Sequence, residues 1–225
     1  MEITWRDKTI TCEEGTTLFD ISKQVEKEYE FPIIVAKVDG VIQELYHEVI
    51  DGTTVSFCTT KDSDGKRAYI RGMSMLLLKA IQEEKAFKEE DRITIDFCLD
   101  SGYYCHLNSK EKPTKELLDR LEKRMREDVK KDIRFEKVVM RTRDARRMFE
   151  KKHMADKSKL LKYRRNSRMT VYHLGDFTDY YYGYMAPDTS YIRWFDLVPY
   201  EYGFVLLLPT KEQPQQVPEL KSSKK

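Results

Sequence analysis

The most distinctive chemistry of the sequence lies in an aromatic run, residues 175–189, which holds tyrosines at 180, 181, 182 and 184. Tyrosine rings can stack on nucleobases, so this run, including Tyr182, is a candidate site for a nucleoside or for RNA. The alternative is that alternate tyrosines pack in the core and keep their hydroxyl groups at its rim. Gly-Asp before the tyrosines and Pro-Asp-Thr after them predict a strand, a tight loop and a second strand, an arrangement that forms pockets.

A basic segment precedes the aromatic run and contains Arg164, Arg165 and Arg168. Arginine side chains can pair with phosphates, so these three residues are candidate RNA contacts. The alternative is an ordinary solvated or salt-bridged surface, because the chain balances 41 Lys and Arg residues with 39 Asp and Glu residues. With a net charge of +2, any nucleic-acid surface must be a local patch.

The length and composition predict two small domains, because 225 residues with 40% hydrophobic content can bury one or two ordinary cores. No apolar run approaches the roughly 18 residues that a membrane helix requires. The first residues also lack the apolar core of a signal peptide. We therefore expect a soluble, cytoplasmic protein without a membrane partner.

The first predicted domain, residues 1–62, has the pattern of a β-grasp. Short apolar segments between turn residues predict several strands, one of them at 33–38, around one helix. That helix has a single apolar face, formed by Leu18, Ile21, Val25 and Tyr29. The segment resembles the TGS domain shared by threonyl-tRNA synthetase, certain GTPases and stringent-response enzymes. Three motifs carry the resemblance, at residues 14–17, 38–40 and 51–53.

The second predicted domain, residues 66–208, combines helices with antiparallel strands, which makes the whole chain α+β. A polar stretch at 59–65 is expected to be a linker, and the tail at 209–225 a polar linker or disordered end. Apolar periodicity predicts helices at 69–84, 113–129 and 142–152, and strands at 93–99, 101–107, 169–173, 191–195 and 202–208.

The second domain resembles the editing domain of threonyl-tRNA synthetase. The resemblance is collinear and, with the first domain, covers most of the chain. It is carried by residues 102–104, 117–125, 145–149, Lys157, Tyr172 and 175–189. It implies an α+β domain with an antiparallel sheet and packed helices. It also implies that Lys157 and Asp179 occupy matching positions in the pocket, as candidate ligand contacts.

The same resemblance implies a site that has lost its reactive groups. The editing pocket gathers a His-x-x-x-His pair and a Cys-x-x-x-His pair, whose lone pairs suit metal ligation or water activation. These positions align here with Arg71, Met75, Tyr181 and Met185. Guanidinium has no lone pair to give, thioethers are poor zinc ligands and neutral phenol is a weak base. We therefore predict no catalytic residue, no metal and no deacylase activity, with the cleft kept for binding.

The two-domain arrangement also resembles the N-terminal half of a bacterial family of uridine kinase-like nucleoside kinases. Residues 76–81, 162–165 and 179–185 carry this resemblance. A phosphate-binding loop needs a Gly-rich turn that ends in Gly-Lys-Ser or Gly-Lys-Thr, and Gly65-Lys66 is followed by Arg67. This chain is therefore predicted to be a fragment without cofactor, and ATP and Mg²⁺ are expected only for a downstream kinase domain in cis.

These patterns favour a non-catalytic regulatory or ligand-recognition region of a nucleoside kinase. Two alternatives stay open: a free-standing editing protein that deacylates mischarged tRNA, and an RNA-binding module. The possible ligands are a nucleoside or tRNA, and the sequence does not specify an oligomeric state.

Overall fold

The computed structural model describes residues 1–84, 92–99, 102–108, 113–152 and 154–220. The first domain is formed by β1 (Glu2–Trp5), β2 (Lys8–Thr11), α1 (Leu18–Val25), β3 (Ile33–Val38), β4 (Val41–Glu44) and β5 (Val55–Thr59). β1 pairs antiparallel with β2, and β3 pairs antiparallel with both β4 and β5. A parallel bridge between Thr4 and Thr54 joins the two halves into a β-grasp arrangement.

Helix α1 begins at a capping box, in which Thr17 and Asp20 satisfy each other's backbone N–H groups. Its buried face, with Leu18, Ile21 and Val25, packs on the sheet as the periodicity predicts. The helix ends four residues earlier than Tyr29, because a 3-10 turn at Glu26–Glu28 follows it. Tyr29 reaches the same core from outside the helix.

The second domain contains two antiparallel sheets and four helices within the described residues. Its elements are α2 (Ser63–Glu83), β6 (Arg92–Leu99), β7 (Gly102–Asn108), α3 (Lys115–Val129), β8 (Glu136–Arg141), α4 (Thr142–Lys151), α5 (Ala155–Lys162), β9 (Arg168–Leu174), β10 (Phe177–Asp179), β11 (Asp196–Tyr200) and β12 (Gly203–Leu207). The sheet orders are β11-β12-β7-β6 and β10-β9-β8. The predicted fold class, α+β with antiparallel sheets and packed helices, is confirmed.

Helix α2 is the centre of the main core. It is buried on more than one face, as its apolar sequence predicts, and it packs against α3 and against β3 of the first domain. Ile34 and Val35 of β3 belong to the same core cluster as α2. The two domains therefore share buried surface.

The segment predicted as a polar linker, 59–65, is instead part of the packed structure. β5 runs to Thr59 and α2 begins at Ser63, six residues before the predicted start. Asp62 fixes the short connection by accepting hydrogen bonds from the backbone N–H and hydroxyl of Thr59 at 2.7 and 2.9 Å. A Cβ atom on Gly65 would lie 2.0 Å from the Thr59 carbonyl oxygen, so this glycine permits close contact between α2 and β5.

Three further elements differ from the sequence prediction. The predicted strand at 191–195 is wrong: a 3-10 turn spans Thr189–Tyr191, and β11 begins only at Asp196. The segment after the tyrosine loop is therefore not a strand. The sequence also gave no prediction of β8 or α5, which expose most of their side chains.

The tail after β12 has no regular secondary structure over 209–220, in agreement with its composition, but it does not project freely. Val217 and Leu220 pack against Tyr104, Val205 and Leu207 on the outer face of the four-stranded sheet. The rest of the predicted tail, residues 221–225, and the first residue of the predicted strand 101–107 lie outside the described residues.

Candidate functional site

A cleft of about 250 Å³ opens beside the tyrosine loop, residues 180–188. Its lining combines aromatic rings with two cations: Lys137, Arg164, Thr170, Tyr180, Tyr181, Tyr182, Gly183 and Tyr184. β8 supplies Lys137 and β9 supplies Thr170, so the three-stranded sheet forms one wall and the loop forms the other. The aromatic run that the sequence singled out therefore does line a pocket.

Arg71 on α2 holds the loop in place. Its guanidinium donates a hydrogen bond to the Tyr184 carbonyl oxygen at 3.2 Å. Gly183 has a φ angle of +107°, and a Cβ atom there would lie 2.6 Å from Cζ of Arg71. The residue at this position must therefore lack a side chain, both because of its backbone conformation and because Arg71 occupies the space.

Glu44, at the end of β4 in the first domain, is a second anchor. Its Oε1 atom lies 2.6 Å from the Tyr172 hydroxyl and accepts a hydrogen bond from the Met185 backbone N–H at 3.0 Å. The Tyr172 hydroxyl is also 2.8 Å from the Gly183 carbonyl oxygen. Burial, and then the Glu44 charge, raise the pKa of Tyr172, so its phenol stays neutral. The loop thus rests on both domains.

Of the four residues predicted to replace the editing ligands, Arg71 contacts the loop and the other three belong to the main core or pack against it. Met75 and Met185 are fully buried in the main core, and Tyr181 packs against it. The Tyr181 hydroxyl is buried and has no hydrogen-bond partner among the described residues. Burial, with a contribution from Asp179, raises the pKa of this hydroxyl well above its usual value, which keeps it protonated.

No group of three or more His, Cys, Asp or Glu side chains in the described part of the chain is arranged to hold a metal ion. The described part of the chain also contains no helix of the length and apolarity needed to cross a membrane.

Lys157 and Asp179 form a close ion pair beneath the tyrosines. Their Nζ and Oδ1 atoms are 2.5 Å apart, and the same Oδ1 accepts the Tyr180 backbone N–H at 2.7 Å. Asp179 is 5% exposed. These two predicted ligand contacts therefore bind each other, and they fix the start of the loop rather than lining the cleft.

Arg164 and Tyr182 meet at the mouth of the cleft. An Arg164 Nη1 atom lies 2.5 Å from the Tyr182 hydroxyl, and its guanidinium carbon lies 5.2 Å from the centre of the Tyr182 ring. Nε of Arg164 is buried without a partner in the residues that the structure describes. Arg165 and Arg168, the other predicted RNA contacts, are exposed and lie outside the cleft lining.

Sequence reasoning missed Glu44, Lys137 and Thr170. Glu44 lies more than 120 residues before the hydroxyl and amide groups that it binds. Lys137 lies on β8, a strand that was not predicted. The sequence contains no local signal that would join these residues to the tyrosine run.

Comparison with known proteins identifies threonine–tRNA ligases as relatives of this chain. The threonine–tRNA ligase of Clostridium kluyveri is 29% identical over 184 residues, which cover 81% of this chain and 28% of the ligase. The ligase of Geobacter sp. (strain M21) is 27% identical over 183 residues, with the same coverage. That of Parabacteroides distasonis is 26% identical over 195 residues, 86% of this chain and 30% of the ligase. The chain is related to threonine–tRNA ligases.

The threonine–tRNA ligase relationship covers most of this chain, but the chain spans less than a third of the length of these relatives. No family model matches the chain. The relatives support the predicted resemblance to threonyl-tRNA synthetase. They are ligases rather than kinases, so the predicted kinase domain in cis gains no support from them and stays a prediction.

Proposed function

We propose that this chain is an RNA-recognition module related to threonine–tRNA ligases, and that its tyrosine-lined cleft binds the single-stranded part of a tRNA without hydrolysing it. The observation that carries the proposal is the cleft wall itself, which places four tyrosines beside Arg164 and Lys137. Aromatic rings next to cations suit unpaired bases, because the rings stack on the bases while the cations neutralise the phosphates.

Two buried polar groups support a bound ligand in this cleft. The Tyr181 hydroxyl and Nε of Arg164 both belong to residues that line it, and neither has a partner within the described ranges. Such groups are costly unless something satisfies them. A ligand with hydrogen-bonding atoms, such as a base edge or a phosphate oxygen, would do so once either side chain shifts, because both atoms are closed to solvent in this structure.

The choice of tRNA follows from the relatives, whose name states that they join threonine to tRNA. Binding without hydrolysis follows from the side chains at the predicted ligand positions. Met75 and Met185 are buried thioethers, Tyr181 is held protonated, and the Arg71 guanidinium is bound to the loop. None of these groups can accept a proton from water at neutral pH.

Binding of unmodified tRNA, measured by fluorescence anisotropy at fixed ionic strength, tests the proposal. We expect Tyr182→Ala and Arg164→Ala each to weaken binding about tenfold, since a stacked base contributes about 1–3 kcal/mol. Tyr163→Ala is the matched control, because Tyr163 is 80% exposed and lies outside the cleft. The proposal is wrong if the wild-type protein does not bind tRNA, or if both cleft variants bind as well as the control.

A second candidate function is deacylation of mischarged tRNA, and the Lys157–Asp179 pair beside the Tyr181 hydroxyl favours it. The half-buried Lys157 ammonium and the buried Asp179 carboxylate would have to orient a water molecule towards an ester from behind the cleft lining. Hydrolysis of mischarged tRNA that disappears in Lys157→Ala, while tRNA affinity is retained, would support this function over simple binding. We expect no hydrolysis above the uncatalysed rate.

A narrower form of the proposal attaches the module to a nucleoside kinase. The module would then supply ligand recognition, and ATP and Mg²⁺ would bind the kinase domain. A Walker-type loop encoded shortly after residue 225 would support this form.

A further inference from the structure

A second depression, of about 220 Å³, adjoins the tyrosine-lined cleft and lies between the two domains. Its lining contains Glu44 of β4 and Tyr46 of the segment after it, together with Arg134 and Lys137 of the second domain. Lys137 lines both cavities. The two cavities are therefore neighbours that meet at Lys137, and together we call them the interdomain groove.

Three cation–tyrosine pairs follow one another along the interdomain groove. The Arg134 guanidinium carbon lies 3.7 Å from the centre of the Tyr46 ring. Nζ of Lys137 lies 5.0 Å from the centre of the Tyr184 ring. The third pair is that of Arg164 and Tyr182, described above. Lys137, in the middle pair, connects the cavity of the first pair with the cavity of the third.

The charge of the groove favours an anionic ligand. Three cations line it, and the carboxylate in its lining, Glu44, is engaged by Tyr172, by the Met185 amide and by Lys137, whose Nζ lies 3.5 Å from Oε2. Arg134 and Lys137 are both exposed, so their charges remain accessible to phosphates. The Tyr182 and Tyr184 rings and the outer face of the Arg134 guanidinium add surfaces on which bases can stack. Tyr46 supports that guanidinium, because Phe19 stacks on the Tyr46 ring and Arg134 covers it.

We propose that the interdomain groove holds a continuous single strand of RNA, about three nucleotides long, with one base at each cation–tyrosine pair. This inference rests on the proposed function and adds the first domain to the binding surface through Tyr46. Cavities of this size admit splayed bases, whereas duplex RNA buries its bases and presents mainly its shape, 2′-hydroxyls and phosphates. The groove should therefore select unpaired RNA.

The test compares oligoadenylates of two to six nucleotides and a blunt RNA duplex as ligands of the full chain, with affinity measured by fluorescence anisotropy. We expect affinity to rise up to about three nucleotides, one for each cation–tyrosine pair, and then to level off, and the duplex to bind at least tenfold more weakly. Tyr46→Leu, which keeps an apolar side chain against Phe19, and Arg134→Gln should each weaken binding of the four-nucleotide ligand about tenfold.

Arg143→Gln is the matched control for Arg134→Gln, because it removes the same charge from an exposed position outside the groove. Thermal melting of each variant establishes that it is folded. If the Tyr46 and Arg134 variants bind like the control while Tyr182→Ala still weakens binding, the extended groove is wrong and the cleft proposal survives. If the wild-type chain binds no RNA, both fail. A duplex that binds as tightly as the single strand also overturns the inference.

Discussion

The carboxylate of Glu44 in the first domain lies 2.6 Å from the hydroxyl of Tyr172 in the second. The same Glu44 oxygen accepts a hydrogen bond from the Met185 backbone N–H, and the Tyr172 hydroxyl also contacts the Gly183 carbonyl oxygen. The loop that carries the tyrosines is therefore shaped by a residue of the other domain.

Tyr172→Phe should destabilise the protein by about 1–3 kcal/mol, because the change removes the hydroxyl partner of the charged Glu44 carboxylate and of the Gly183 carbonyl. Urea unfolding monitored by circular dichroism measures the effect. Tyr163→Phe, which removes an exposed hydroxyl, should leave the free energy of unfolding unchanged. Equal stability of both variants would contradict the role given to the Tyr172 hydroxyl.

Gly183→Ala should cost more stability than Gly175→Ala. Both glycines have positive φ angles, but +59° at Gly175 lies in the left-handed region that other residues can adopt, whereas +107° at Gly183 lies outside it. A Cβ atom at Gly175 also meets no atom within 4 Å. At Gly183 it would collide with Arg71, and we expect an additional cost of about 1–3 kcal/mol. Adding Arg71→Ala to Gly183→Ala should recover part of this difference. If the two single variants melt at the same temperature, the contact with Arg71 does not add to the cost of the substitution at Gly183.

Asp128 should make stability depend on acid pH. Burial alone would raise the pKa of Asp128, but hydrogen bonds from Lys131 and Lys79 outweigh it and hold the pKa below its usual value. The carboxylate therefore stabilises the fold above the unfolded-state pKa of about 3.9, and this contribution is lost as the pH falls below that value. The difference in unfolding free energy between wild type and Asp128→Asn should shrink between pH 7 and pH 3.

At pH 7, Asp128→Asn should cost about 3 kcal/mol, because it removes a partner of the buried Lys79 ammonium at 2.6 Å. The double change Lys79→Met with Asp128→Leu should cost less than the single change, since it leaves no buried charge behind. A double variant that is less stable than Asp128→Asn would argue against this account.

The tail should contribute to stability although it has no secondary structure. Val217→Asp with Leu220→Asp should lower the unfolding free energy by about 2 kcal/mol, because both side chains cover apolar surface around Tyr104. Gln215→Asp with Gln216→Asp adds the same charge at exposed positions and serves as the control. Indistinguishable urea midpoints for the two pairs would mean that the tail contact is absent in solution.

The sequence predicted those elements whose residues face a core. β3 was predicted at its observed bounds, and the apolar stripes of α1 and α3 placed both helices. β8 and α5 escaped prediction because they lie at the surface. Val139 of β8 is 55% exposed and Leu160 of α5 is 60% exposed, so neither segment shows a clear hydrophobic period.

The candidate site was predictable in part. Tyr182 and Arg164 were selected for their chemistry, and the structure brings them into contact. The first-domain residues that contact the second domain were not selected. Hydrogen bonds and ring contacts between residues about 90 or more positions apart produce no pattern in the sequence. Tyr46 and Glu44 belong to this group.

Only residues 60–62 connect β5 to α2. Gly65 in the first turn of α2 also lies close to the Thr59 carbonyl at the end of β5. This connection is too short to act as a hinge, so the two domains should unfold in one cooperative step. The spacing between Tyr46 and Tyr182 is then built into the scaffold, so the protein would act as a rigid template to which a flexible partner must conform.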